Sequence, residues 1–202
     1  MLHTFVALVE DKPGVLTRVA SLFRRLNINI ISLTVGHSER SDVSRMTIVA
    51  EAAPGSGHRI KASLFKLESV LDVDDIGQFS CVTRELALIK VAATPHTRAP
   101  IFQLAEVFRA RVVDLAPESI MLEITGVSAK IEGLIQVLSE GDNRILEISR
   151  TGRMVMRRGR HTSRVLDAMR VSSPEEEPII PVTDAGGDTN LAMLSGDPNH
   201  PL

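Results

Sequence analysis

Residues 4–36, TFVALVEDKPGVLTRVASLFRRLNINIISLTVG, change their hydrophobic period twice. Thr4 to Val9 is an apolar run of strand length, and Asp11-Lys12-Pro13-Gly14 interrupts it with turn residues. From Val15 the helical period takes over. Val15, Leu16, Val19, Leu22, Phe23 and Leu26 fall on one face, while Thr17, Arg18, Ser21 and Arg24 lie elsewhere. Ile28 to Gly36 is β-branched and reads as a buried strand. The stretch is therefore strand, tight turn, helix, strand.

Working outward, Ser44 to Glu51 alternates, with Met46, Ile48 and Ala50 on one side. Pro54-Gly55-Ser56-Gly57 is a loop, Ile60, Leu64 and Leu67 mark a second amphipathic helix, and Val70 to Ile76 closes the set as a strand. The order β-α-β-β-α-β with right-handed crossovers gives a four-stranded antiparallel sheet with both helices on one face, the α+β ferredoxin-like arrangement. Its other face is open, so pairing with a second copy is expected.

Residues 84–150 repeat the order. Strands are expected at Glu85–Ala92, Val112–Leu115, Ile120–Thr125 and Ile145–Ser149, and helices at Pro100–Ala110 and Ala129–Ser139. The loop Thr94–Pro100 carries no glycine where the first half has Gly14. Beyond it, Arg157, Arg158, Arg160, Arg164 and Arg170 form a basic stretch that reads as a solvated face, with a short helix running to Met169. Residues from about 172 onward are rich in Pro, Gly and Asp without periodicity, a composition expected to stay disordered. The expected organisation is two ferredoxin-like domains, 1–79 and 80–159, and a basic stretch with a tail over 160–202.

Composition excludes several roles. Among 202 residues, 23 basic and 25 acidic side chains nearly cancel, which gives no reason to expect nucleic acid or an anionic membrane as partner. With no Trp, no Tyr and six Phe, base-stacking platforms are lacking. The single Cys81 rules out an intramolecular disulfide framework and a multi-cysteine zinc site. No run approaches the roughly eighteen apolar residues of a membrane helix. In MLHTFVALVEDKPG acid and proline follow the apolar run at once, unlike a signal peptide, so the expected location is cytoplasmic.

Nothing in the sequence assembles a catalytic or metal centre. The six histidines are scattered, and Cys81 has no flanking histidine. The candidate site is the first turn. Before a helix starting at Val15, several backbone N–H groups lack an intrahelical partner and attract a carboxylate. Gly14 lets a ligand come close, Glu10 or Asp11 could receive an ammonium, and Asn29 offers amide donors and an acceptor. These groups suit the two ends of a free α-amino acid. The same residues also read as turn chemistry alone.

VEDKPGVLTRVASLF (9–23), NINIISLTVG (27–36) and SRMTIV (44–49) resemble the small regulatory subunit of acetolactate synthase, whose first domain is an amino-acid-binding ACT module. The resemblance continues through VLDVDDIGQFSCVTRELALIKV (70–91) and FRARVVDLAPESIMLEITGVSAKIEGLI (108–135) to ILEISRTGRMVMRRG (145–159). It implies a chain with no cofactor of its own. Its partner would be a large subunit carrying thiamine diphosphate, Mg2+ and FAD, which it activates and subjects to feedback inhibition by valine or another branched-chain amino acid. It also implies a homodimer through the ACT domains. The effector would lie between Asp11, Pro13, Gly14, Val15 and Leu16 of one copy and Asn29 and Ile30 of the other. The family usually has asparagine at Asp11, an arginine, a glycine and an aromatic at Leu26, Asn27 and Ile28, and an acid at Ile31. The alternative is a stand-alone amino-acid sensor or a diverged paralogue acting on another partner. The second domain, lacking the glycine turn, is the expected face for the large subunit.

Overall fold

The apolar run before the turn forms β1 (Leu2–Glu10), and the helical stretch forms α1 (Val15–Arg25). Then follow β2 (Asn29–His37), β3 (Val43–Glu51), α2 (Gly57–Phe65) and β4 (Val70–Asp75). These belong to a computed structural model that describes residues 1–141 and 144–160. The strand order is β2-β3-β1-β4, all antiparallel, the expected ferredoxin-like sheet. Phe5, Ala7 and Val9 of β1 and Met46, Ile48 and Ala50 of β3 face Val15, Val19, Leu22 and Phe23 of α1 and Ile60 and Leu64 of α2. The sequence period and the buried face agree.

The second half repeats the architecture. It comprises β5 (Cys81–Ala92), α3 (Arg98–Val107), β6 (Arg111–Ala116), β7 (Ser119–Gly126), α4 (Ser128–Glu140) and β8 (Ile145–Arg150), in strand order β6-β7-β5-β8. Its core joins Ala87, Ile89 and Val91 to Ile120, Leu122, Ile124, Ile131, Leu134 and Leu138.

Three features differ from the sequence reading. β5 starts at Cys81, four residues before Glu85, and a further strand, β9 (Met154–Arg157), pairs with those extra residues. β9 has one buried side chain, Val155, between exposed Met154 and Met156, so its alternation is too short to mark it. Third, the open face of the first sheet is partly taken by the chain's own residues 151–157. Val155 packs with Val6, Ile76 and Cys81, so the thiol sits in the joint between the two sheets. Arg157, expected on a solvated face, instead pairs with Asp74 at 2.8 Å and lies 3.6 Å over the Phe79 ring. The helix expected to reach Met169 and the tail expected to be disordered lie outside the described residues. Among the described residues no helix is long and apolar enough to cross a membrane.

Candidate functional site

The turn after β1 is built around one backbone conformation. Gly14 caps α1 at φ 84° and ψ −8°, in the left-handed region that side chains disfavour. A Cβ added there would meet nothing within 4 Å, so the glycine serves the backbone and leaves open space over the helix start. No side chain caps that start, and its first turn holds no acid. The N–H groups and the positive end of the helix dipole therefore face outward unbalanced. Val15 is buried beneath the turn and Leu16 is 45% exposed beside it, giving a polar cradle with an apolar border.

Asp11 is oriented by the neighbouring hairpin. Its N–H donates to Asp42 O at 2.9 Å, and its carboxylate accepts from Ser44 Oγ at 3.2 Å and lies 3.4 Å from His37 Nδ1. Lys12 pairs with Glu10 at 3.2 Å. Both acids at the turn are thus engaged, and Val15 N–H donates to Lys12 O at 3.4 Å, leaving the other N–H groups of the first helical turn as its open feature.

The structure does not bring every predicted residue together in one chain. Asn29 lies opposite Glu51, which lies opposite Leu2, whereas Glu10 lies opposite Val43. The turn and Asn29 therefore stand at opposite ends of the sheet, eight strand residues or about 26 Å apart. Asn29 is exposed, and Ile30 packs against the first core. Two half-sites result, one at each end of α1. At the second, Asn27 adopts φ 53°, while its N–H bonds Arg24 O and that of Ile28 bonds Phe23 O, both at 3.0 Å. This is a Schellman end, which wants glycine and accepts asparagine. It explains why Asn27 can replace the expected glycine. A groove of about 560 Å³ opens there between Leu26–Ile28 and the start of α2.

Sequence reasoning missed a second polar cluster, at the joint between the two sheets. Glu85 sits in phase with the core-facing Ala87, Ile89 and Val91 and is 6% exposed. It accepts from Arg150 Nε at 2.6 Å and Ser128 Oγ at 2.9 Å, while Arg150 also donates to Glu132 at 2.5 Å. Burial pushes the Arg150 pKa down, but its bonds to Glu85 and Glu132 outweigh that and leave it raised. Arg153 donates to Thr4 Oγ1 at 3.2 Å and, through its backbone N–H, to Ser32 Oγ at 3.3 Å. Gly152, at φ 81°, presses against β2 so closely that a Cβ would come within 2.6 Å of Ser32 Oγ. Arg45 donates to Val155 O at 2.8 Å, and its own desolvation lowers its pKa. A carboxylate in phase with an apolar strand was the one sequence signal for this cluster. Among the described residues no group of His, Cys, Asp and Glu is arranged to hold a metal.

Comparisons with known proteins cover both halves. Residues 5–72 match the model of the AHAS small subunit-like ACT domain, and residues 84–159 match the model of the small subunit of acetolactate synthase. The probable acetolactate synthase small subunit of Archaeoglobus fulgidus is 46% identical over 159 residues, spanning 79% of this chain and 98% of the relative. The acetolactate synthase small subunit of Mycolicibacterium smegmatis is 45% identical over 157 residues, 78% of this chain and 91% of its own. Among solved structures, the small subunit from Thermotoga maritima superposes with a TM-score of 0.71 at 38% identity, over 79% of this chain and 98% of that one. The arrangement of two ferredoxin-like units and the identity along both agree: the chain belongs to the family of acetolactate synthase small subunits.

Proposed function

We propose that the chain binds a branched-chain amino acid between the first domains of two copies and passes that occupancy to a catalytic large subunit in the cytoplasm. Family membership makes it a regulatory subunit, with the chemistry on another chain. The observation that carries the effector site is the separation of its halves. A bare helix N-terminus over Gly14 suits a carboxylate, yet Asn29 lies at the far end of the same helix. β2 is an edge strand of its sheet. Two β2 edges meeting antiparallel would bring the Asn29 end of one copy to the His37 end of the other, and His37 stands beside Asp11. Each turn would then face the other copy's asparagine. The exposed Ile31 and Val35 on that edge and Leu16 on α1 would be covered in the same step.

Effector binding shifts the partner between two arrangements by no more than its difference in affinity for them. The Asp11 carboxylate, already oriented by Ser44 and His37, receives the ligand ammonium, and Leu16 and Ile30 border the ligand side chain. The second unit, whose strand-to-helix turn is closed, is left to face the large subunit. Mixing the purified chain with its cognate large subunit should raise acetolactate formation, and valine should then lower it. Absence of both a complex and stimulation would refute the reading.

A further inference from the structure

The joint between the two sheets holds an open cavity of about 510 Å³ lined by residues of one chain. Its charges are sorted by position. Glu85 and Glu132 share one guanidinium, Arg150, so that end keeps one negative charge in excess. The second oxygen of Glu132 is available, since its side chain is 59% exposed. Arg153 carries the opposite excess. Among the described residues no carboxylate lies in ion-pair range of it, its terminal nitrogens reach only the hydroxyls of Thr4 and Ser128, and its buried Nε has no partner. A guanidinium stays charged at any physiological pH, and that of half-buried Arg153 meets Glu85 only through the Ser128 hydroxyl, with no carboxylate of its own. The wall between the two ends is apolar, from Leu2, Ile31, Leu33 and Val49.

We infer that this cavity is a second ligand site, for a small zwitterion with an aliphatic tail. The ligand carboxylate meets the terminal nitrogens of the Arg153 guanidinium, and the ligand ammonium meets Glu132. The tail lies against Ile31 and Val49. Such a ligand touches β2 of the first sheet and residues 150–153 of the second unit at once, and so fastens one to the other. The site is distinct from the two-copy site proposed above, because it uses neither Gly14 nor Asn29, although Ile31 borders both.

Calorimetry on the full chain carrying Gly14→Asp, which disables the two-copy site, isolates this one. L-valine is the probe, beside isovalerate, which lacks the ammonium, and isobutylamine, which lacks the carboxylate. The inference expects one equivalent of valine bound per chain, with both analogues weaker by roughly ten-fold or more. Adding Glu132→Gln should weaken valine by about ten-fold, and Arg153→Met by up to about 100-fold. Glu132 is exposed enough that its variant folds, so it decides alone if Arg153→Met does not. No valine bound to the Gly14→Asp chain overturns the inference. So does affinity unchanged by Glu132→Gln, or an analogue that binds as tightly as valine.

Discussion

The two strand-to-helix turns of this chain occupy equivalent places and differ in how their loops are held. Neither α1 nor α3 has a side-chain cap or an acid in its first turn, but after β1 Gly14 takes a left-handed conformation and the space above it is open. After β5, Thr97 Oγ1 accepts from Thr94 N at 2.9 Å, and the Arg98 guanidinium donates to Ala116 O and Pro117 O at 2.6 and 2.9 Å. The second turn closes on itself. The first stays open above its glycine. On the function proposed above, two copies of one architecture separate a binding role from a structural one by changing a single turn.

That contrast has a stability consequence, and the largest expected effect tests it. With no cap, α1 is held by its apolar face, so Phe23→Ala should cost about 3–5 kcal/mol in chemical denaturation, the range for a fully buried aromatic. A loss under about 1 kcal/mol would mean that the helix end is held in some other way. Next in size, Gly14→Asp places an anion where the ligand carboxylate would lie and should weaken the valine response roughly 100-fold or more. Stimulation of the large subunit should persist. The converse change, Thr97→Gly, opens the second turn without creating a valine site there and should lower stability by about 1 kcal/mol, measured by thermal melting.

The smallest effect lies at the β2–β3 hairpin. A hydrogen bond from Arg40 holds the Asp42 carboxyl below its ordinary 3.8. A carboxyl with a depressed folded pKa stabilises above its unfolded value, and that contribution fades as pH falls through the lower folded value. Asp42→Asn should therefore differ from the parent chain near pH 7 and converge with it well below pH 3.8. Asp42 is exposed and Arg40 partly so, and solvent screening keeps the difference near pH 7 small.

The parts of this picture that the sequence carries are those written in local period. Val15, Val19, Leu22 and Phe23 recur at helical spacing and are buried together, and Gly14 after Pro13 marks a turn that only a glycine fills easily. The joint is different in kind. Arg153 reaches Thr4 across 149 residues and Arg45 reaches Val155 across 110, and no periodic pattern encodes such pairs. β9 is too short to alternate visibly, and its one buried residue needs the first sheet as a wall. Asn27 lies between the two cases. Its position after a helix is legible, whereas its tolerance of φ 53° becomes evident only with the Schellman bonds in view. The halves of the proposed effector site were legible as residue types, but their placement at opposite ends of α1 follows from the register.

A mixed-chain experiment addresses that placement directly. Chains carrying Gly14→Asp keep Asn29, and chains carrying Asn29→Ala keep the turn, so neither homodimer holds an intact effector site. Combined in equal amounts and allowed to exchange, they should recover valine binding, measured by calorimetry, to about a quarter of the parent capacity, since half the dimers are mixed and each holds one intact site. The joint cavity contributes equally to every sample and is subtracted using either variant alone. Recovery on mixing is the result expected of a site shared between two copies. Full effector binding by either variant alone, or no recovery when they are combined, would contradict it.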